Sequence, residues 1–182
     1  MDKSTEIKFS KFLCLLLRHQ PEEIGLTLDA EGWADVDELL MKLKKTGKAR
    51  SKDDLRQVVA NNDKKRFIFD EEETKIRANQ GHSIKSIDLK MQPVEPPEFL
   101  YHGTAERNQG VILESGIQKM QRQHVHLSKD KGTAMTVGTR HGKPLILTIA
   151  TKQMFDDGVN FFLSENNVWL RACLKIKIIK FG

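Results

Sequence analysis

Apolar positions near the start of the chain recur at the spacing of an amphipathic helix. The apolar set is Phe9, Phe12, Leu13, Leu16 and Leu17. This set follows the i, i+3, i+4, i+7, i+8 pattern of a helix that buries one face. Ser4 or Thr5 is expected to cap the start of this helix, and Pro21 should end it close to His19.

After the first helix, the hydrophobic pattern predicts a short strand and then two more helices. Alternating apolar residues at 24, 26 and 28 predict a short strand, which the turn-like residues 29–32 close. Two capping-box patterns follow, and each is expected to open a helix. The pairs are Asp35 with Glu38, which starts a helix through Leu43, and Ser51 with Asp54, which starts a helix carrying Leu55 and Val58.

The first half of the chain closes with two short strand-like runs. Residues 66–69 and 74–77 are rich in β-forming residues, and the acidic residues 70–73 separate them. Together with the preceding elements they give the order helix, strand, helix, helix, hairpin. This order predicts a winged-helix lobe, although a fold by itself does not establish a function.

A proline-rich stretch marks the predicted domain boundary. Three of the five prolines fall within residues 93–97, and such a stretch is stiff. We therefore predict two domains, 1–92 and 93–182. In the second, strands are expected at 99–102, 124–127, 144–149, 161–163, 168–170 and 173–179, with helices near 105–115 and 129–137. Many short strands with few helices indicate an α+β fold class.

Composition adds limits rather than an identity. The net charge of +5 permits a polyanionic partner, with +1 contributed by residues 1–92 and +4 by residues 93–182. Cys14 and Cys173 form neither a disulfide framework nor a zinc-site spacing, which suits a reducing compartment. The sequence shows no apolar signal region and no run of about 20 apolar residues. A soluble, cytoplasmic, monomeric protein is expected.

Arginines carry the first candidate chemistry. Arg18 precedes His19 at the end of the first helix, and a guanidinium fork grips two phosphate oxygens at once. The same cations would also stabilise the helix dipole by about 0.3–1 kcal/mol. Arg66, Arg77 and Arg122 lie beside predicted strands, where surface charges are common. The residues alone leave both interpretations open.

Motifs throughout the chain resemble those of the RNA 2′-phosphotransferase family. The resemblance runs in order from about residue 8 to 180. In the first half it is carried by residues 11–13, 17–21, 32–35, 64–67 and 76–83. In the second half it is carried by Tyr101-His102-Gly103-Thr104, residues 124–128, 138–142 and 167–170, which look like that family's NAD⁺-binding lobe of the ADP-ribosyltransferase type.

The resemblance implies a catalytic tetrad of Arg18, His19, Arg66 and Arg122. Several guanidinium groups suit a phosphate that carries nearly two negative charges, because lysine grips only as a point charge. His19 is the one member that exchanges a proton near neutral pH. Tentative substrate contacts are Arg77, His82 and Ser83.

The resemblance also implies an NAD⁺ pocket. Its residues are His102, Gly103, Thr104, His126, Ser128, Arg140 and Val168. Gly103 is expected to let a backbone amide approach the ligand without a Cβ in the way. Val168 occupies a position where many ADP-ribosyltransferases carry glutamate, which agrees with an attacking phosphate that is already anionic. A strand histidine paired only with backbone is the alternative for His126.

Other cofactors are not expected. No Gly-x-Gly-x-x-Gly fingerprint is present, so a Rossmann dehydrogenase is unsupported. His124 and His126 point to one face of a strand, but no third metal ligand is evident from spacing. We expect NAD⁺ as co-substrate and no metal.

The implied function is NAD⁺-dependent removal of an internal 2′-phosphate from RNA, with a tRNA-like substrate. It would proceed through an ADP-ribosylated RNA, releasing nicotinamide and ADP-ribose 1″,2″-cyclic phosphate. One alternative is ADP-ribosylation of terminal nucleic-acid phosphates by the same chemistry. A second alternative is a non-catalytic winged-helix nucleic-acid binder whose other lobe senses NAD⁺.

Overall fold

The computed structural model describes residues 1–62, 64–172 and 178–181, the last of these as strand backbone. Within them the chain forms six α-helices and nine strands, and every strand pair is antiparallel. This is the mixed α+β class predicted from the sequence. The chain divides into two compact units, Met1–Lys90 and Met91–Gly182. In the described part, no helix is long and apolar enough to cross a membrane.

The first unit contains three helices and one small sheet. Its elements are α1 (Lys3–Arg18), β1 (Ala34–Asp35), α2 (Val36–Lys45), α3 (Lys52–Ala60), β2 (Phe67–Phe69) and β3 (Lys75–Ala78). The sheet has the order β1-β3-β2, so the predicted hairpin forms and the short β1 joins its second strand.

The first helix forms where its apolar spacing predicts. Its cap, however, is Asp2, whose carboxylate accepts hydrogen bonds from the backbone N–H groups of Ser4 and Thr5 at 2.9 and 3.0 Å. A cap side chain must precede the first helical turn, so Ser4 and Thr5 lie inside the helix instead. The buried face of α1 packs on one core with Leu39, Leu43, Leu55, Val58, Phe67 and Ile76.

The predicted strand at residues 24–28 is wrong. Residues Pro21–Ile24 form a 3₁₀ helix, and Gly25 ends it with a φ of 64°, in the left-handed region that favours glycine. The alternation arises because Ile24, which ends the 3₁₀ helix, and Leu26, two residues later, are both buried. The short strand of this region is instead β1 (Ala34–Asp35), which starts six residues after Leu28.

The caps predicted for the second and third helices are both present, and they differ in completeness. Ser51 and Asp54 form a full reciprocal capping box at α3. At α2, Asp35 accepts from the backbone N–H of Glu38 at 2.8 Å, but the Glu38 carboxylate instead accepts from Thr27. Half of the capping box at α2 is therefore replaced by a contact that ties α2 to the preceding segment.

The second unit contains two three-stranded sheets and three helices among its described residues. Its elements are β4 (Phe99–Ala105), α4 (Gln109–Ser115), β5 (Val125–Leu127), α5 (Lys131–Thr139), β6 (Pro144–Ala150), α6 (Thr151–Asp156), β7 (Phe162–Leu163), β8 (Trp169–Arg171) and β9 (Ile178–Phe181). The sheets have the orders β4-β6-β9 and β5-β8-β7. The strand predicted at 173–179 lies largely outside the described residues, and helix α6 was not predicted.

The two sheets of this unit meet along β4 and β5. Tyr101 and Ser128 exchange two backbone hydrogen bonds, of 2.9 and 2.7 Å, in an isolated bridge. Beyond this bridge the strands belong to different sheets. His102, next to Tyr101 on β4, and His126 on β5, two residues before Ser128, therefore lie close to the point at which the sheets separate.

Candidate active site

Arg18 and His19 lie at the end of α1 against the segment that follows β3. The backbone N–H of Ser83 donates to the carbonyl of Arg18 at 3.0 Å, and the Ser83 hydroxyl lies 3.0 Å from Nδ1 of His19. A Cβ built at Gly81 would lie 3.4 Å from Nη1 of Arg18, so the guanidinium occupies space beside this glycine. Residues 81–83 therefore lie against the side chains of both Arg18 and His19.

Arg66 is held by a residue that the sequence did not single out. Asn62, 9% exposed, accepts from Nη1 of Arg66 at 3.1 Å and from the backbone N–H of Lys64 at 3.3 Å. Its amide nitrogen donates to the hydroxyl of Ser10 on α1 at 3.1 Å. One buried amide thus ties Arg66 to the first helix.

The segment after β3 also reaches the backbone of Arg66. The N–H of Asn79 donates to the Arg66 carbonyl at 2.9 Å, and its side-chain amide donates to the carbonyl of Lys65 at 2.6 Å. Asn79 and Ser83 are four residues apart, a length of chain that spans at most about 14 Å. The backbones of Arg18, His19 and Arg66 are therefore gathered around one short segment.

The tentative substrate contacts occupy different environments. His82 is 1% exposed, and its ring packs beneath the turn at Gly32 in the interior of the unit. The guanidinium of Arg77 stacks over the Trp33 ring, with 4.4 Å between its carbon and the ring centroid. The Ser83 hydroxyl lies 3.0 Å from Nδ1 of His19.

The environment of His102 in the second unit favours the neutral imidazole, with Nε2 as a hydrogen-bond acceptor. Its Nδ1 lies 3.0 Å from the carbonyl of His126, and because a carbonyl only accepts, this nitrogen carries the proton. Burial, and to a lesser extent the charge of His141, lowers the pKa of His102, against the opposing effect of that hydrogen bond. Nε2 therefore presents a lone pair.

Arg122 pairs with the other histidine of this unit. Its Nη1 lies 2.9 Å from Nδ1 of His126. A guanidinium only donates, so this contact requires Nδ1 of His126 to be the acceptor and places the proton of the neutral ring on Nε2. The fourth predicted tetrad residue is thus held next to a predicted NAD⁺-pocket residue, whereas Arg18, His19 and Arg66 belong to the first unit.

Close packing of a helix against β4 also requires glycine at position 103. A Cβ built on it would lie 1.7 Å from the backbone oxygen of Ala134 in α5, which is far inside van der Waals contact. A Cβ at Gly138 would likewise lie 2.9 Å from the carbonyl oxygen of Thr104. The two glycines let α5 lie directly on β4, so packing of the helix, by itself, demands glycine at 103.

The remaining predicted pocket residues surround the same strands at different depths. Thr104 is 6% exposed, and its hydroxyl accepts from the amide of Asn108 at 3.0 Å. Ser128 is half-buried at the bridge with Tyr101, and Arg140 is exposed at the end of α5. Val168 lies just before β8, where its N–H and carbonyl bond Ser164.

His124 is engaged with an aromatic ring. Its imidazole meets the Phe162 ring edge to face, with 6.1 Å between ring centroids. Within the residues that the structure describes, no three His, Cys, Asp or Glu side chains are grouped to hold a metal ion.

Comparison with known proteins first gives the class of enzyme. The sequence profile of the family described as "RNA 2'-phosphotransferase, Tpt1 / KptA family" matches residues 4–172. A protein of Flavobacterium johnsoniae, named "Probable RNA 2'-phosphotransferase", is 53% identical over 181 residues, which is 100% of this chain and 99% of that protein. Proteins of the same name from Trichormus variabilis and Burkholderia pseudomallei are 53% and 51% identical, over 93% and 94% of this chain and 93% of each relative.

These relatives are transferases by name. The chain itself belongs to the RNA 2′-phosphotransferase family.

Proposed function

We propose that this protein removes an internal 2′-phosphate from RNA, with NAD⁺ as co-substrate and a tRNA-like molecule as substrate. Family membership over residues 4–172 is the observation that carries the proposal. In the first step the 2′-phosphate attacks the anomeric carbon of the nicotinamide ribose, and nicotinamide leaves. In the second a hydroxyl of the ADP-ribose attacks the phosphorus, so that the RNA 2′-oxygen departs and ADP-ribose 1″,2″-cyclic phosphate forms.

The proposal assigns the first unit to the RNA phosphate, as a winged-helix lobe. The order α1, β1, α2, α3, β2, β3 with the sheet β1-β3-β2 supports this assignment. Arg18 and Arg66, with Arg122 of the second unit, neutralise charge on the phosphate oxygens. His19 orients the phosphate or protonates the departing 2′-oxygen.

Ser83 suits either role of His19. A hydroxyl both donates and accepts, so it pairs with Nδ1 of His19 whether that nitrogen carries a proton or not. Consequently Nε2 of His19 is able to carry a proton in the neutral ring as well as in the imidazolium. A proton on Nε2 is what a hydrogen bond to an anionic phosphate oxygen requires.

The proposal assigns the second unit to NAD⁺, as a lobe of the ADP-ribosyltransferase type. Two small antiparallel sheets that separate between β4 and β5 support this assignment. The lone pair on Nε2 of neutral His102 fits a ribose hydroxyl or a carboxamide N–H of the dinucleotide, since both are donors. Val168 supplies no base, and an attacking phosphate needs none.

The proposal is tested by mass spectrometry of the products. The protein is incubated with NAD⁺ and an oligonucleotide that carries one internal 2′-phosphate. We expect an RNA lighter by one phosphate, free nicotinamide and the cyclic phosphate. A parallel 5′-phosphorylated strand that gains ADP-ribose while the 2′-phosphate stays in place would favour the terminal-phosphate alternative. Binding of NAD⁺ without nicotinamide release would favour the sensor alternative.

Removing His19 or Arg18 should stall the reaction. Loss of a group that stabilises transition-state charge costs about 10²–10³-fold in rate, so we expect His19→Ala and Arg18→Ala to lose about that much. The ADP-ribosylated RNA should accumulate in at least one of them. Arg107→Ala, which removes an exposed guanidinium from the 3₁₀ turn after β4, is the matched control. Wild-type turnover by both variants would overturn the assigned roles.

A further inference from the structure

A basic groove runs beside α1 in the first unit, outside the contacts described above for Arg18, His19 and Ser83. It has a volume of about 400 Å³, and Arg66 forms part of its wall. The lining residues from α1 are Lys3, Glu6, Ile7, Ser10, Lys11 and Cys14. The opposite wall comes from the end of α3 and the connection to β2, and it includes Asn61, Asn62 and Lys64.

The charge of the groove is strongly one-sided. Among its described lining residues, four are cationic and one, Glu6, is acidic. The Glu6 carboxylate accepts hydrogen bonds from neutral amides, at 3.1 Å from Asn61 and 3.4 Å from Gln57. Lys3 and Lys11 are exposed, and neither forms an ion pair within the described part of the chain. Among the described residues, the lining of the groove therefore carries more positive than negative charge, and Lys3 and Lys11 are open to an anionic ligand.

The helix wall of the groove points toward the predicted catalytic end of α1. Lys3, Ile7, Lys11 and Cys14 recur at spacings of three and four, which places them on one stripe of the helix, and Arg18 continues that stripe. Helix α1 has 16 residues and is about 24 Å long, so a strand of several nucleotides can lie along it. Ile7 is 49% exposed and supplies apolar surface between the two lysines.

We propose that this groove binds the RNA strand that flanks the 2′-phosphate, with Lys3 and Lys11 on two different backbone phosphates and Ile7 against a ribose or base. Proteins bind single strands in a positively charged groove that follows the backbone, with side chains, usually aromatic, that contact the bases. In this groove Ile7 supplies the exposed apolar contact. The inference rests on the proposed function and deepens it. Arg66 lines the groove and is also one of the residues proposed to bind the 2′-phosphate, with Arg18 and His19. The strand would therefore run along α1 toward these residues.

The test compares two substrate lengths in the Lys3→Ala/Lys11→Ala double variant. Each substrate carries one 2′-phosphate, in a dinucleotide or within an oligonucleotide of a dozen residues. Because two phosphate contacts are lost, we expect kcat/KM for the long substrate to fall about tenfold and the slope of log KM against log salt to flatten by about 1.4. Turnover of the dinucleotide should stay within twofold of wild type.

The matched control removes two lysines elsewhere in the same unit. Lys44 and Lys45 are exposed in the last turn of α2 and do not line the groove, so Lys44→Ala/Lys45→Ala changes net charge equally. The control should turn over both substrates normally. An equal loss on both lengths, or an equal loss in both double variants, overturns the groove assignment. If wild-type protein processes neither substrate, the proposed function fails instead.

Cys14 supplies a second readout that depends on position. It is a half-buried, free thiol in the groove wall. Bound RNA should slow its alkylation, measured peptide by peptide in the wild-type protein without NAD⁺, and the long oligonucleotide should protect it more than the dinucleotide at equal occupancy. Equal protection by both lengths would place the strand elsewhere.

Discussion

The partner of a single ring nitrogen gives each of three histidines a different hydrogen-bonding character. At His102 a carbonyl forces the proton onto Nδ1, whereas at His126 the guanidinium of Arg122 forces it onto Nε2. At His19 the Ser83 hydroxyl permits either. The residue type is visible in the sequence, but the partner that decides its chemistry is brought in by the fold.

The half-buried acceptor at His102 should make the protein sensitive to mild acid. Its pKa is lowered in the folded state, so the unfolded chain takes up this proton more readily. The stability contribution is therefore complete above the unfolded value near 6.5 and falls as pH drops below it, by up to about 1.4 kcal/mol per pH unit. His102→Asn, whose amide still donates to the carbonyl of His126, should lack this component.

Urea unfolding at pH 5, 6, 7 and 8 measures the effect as the difference between wild type and His102→Asn. As the pH falls, the unfolding free energy of the wild type should decrease more than that of His102→Asn. A pH-independent difference would contradict a lowered pKa for His102.

At the scale of elements, contact between α5 and β4 depends on two glycines. The backbone oxygen of Ala134 fills the position that a Cβ at Gly103 would need. Gly103→Ala should therefore push α5 off β4 and destabilise the protein by about 3 kcal/mol, at the upper end for an overpacked site.

Gly110→Ala is the control for this prediction, because nothing lies within 4 Å of a Cβ there. Gly110 lies in α4, where alanine is favoured over glycine by about 1 kcal/mol. We expect that variant to be as stable as wild type or more so. Chemical unfolding of both variants checks the pair, and equal stability of Gly103→Ala and wild type would show that α5 accommodates the methyl group.

The elements that the sequence predicted well are those with long periodicity or a complete cap. Helix α1 has five apolar positions in register, and Ser51 with Asp54 satisfies the start of α3 from both sides. The strand predicted at residues 24–28 was wrong because alternate residues can also be buried outside a strand, as Ile24 and Leu26 are at the end of a 3₁₀ helix. Helix α6 has six residues and β1 has two, too few for a periodic signal.

At the scale of the molecule, Arg66 and His102 are each tied to a residue of their own unit. Arg66 is tied to Asn62, and His102 is tied to His126. Family motifs indicated Arg66 and His102, but Asn62 carries no local signal beyond a position after a helix. Its role depends on Ser10, 52 positions away in sequence.

This separation predicts that binding of the two substrates can be weakened independently. Arg66→Ala should reduce affinity for 2′-phosphorylated RNA at least about tenfold, since a charged hydrogen bond contributes about 1.5–3 kcal/mol, and should leave NAD⁺ affinity unchanged. His102→Asn should do the reverse. Calorimetric titration with each ligand alone measures both, and a variant that weakened both ligands equally would contradict the division of roles.

The amide of Asn62 has a consequence for how Arg66 meets its target. Arginine loses much rotational freedom when it is fixed in one geometry. In the folded protein the hydrogen bond to Asn62 already restricts that freedom. The guanidinium is therefore oriented before the phosphate binds. If a shorter or more mobile side chain replaced Asn62, Arg66 would keep its charge. It would then lose its rotational entropy each time RNA binds, and binding would be weaker by that amount.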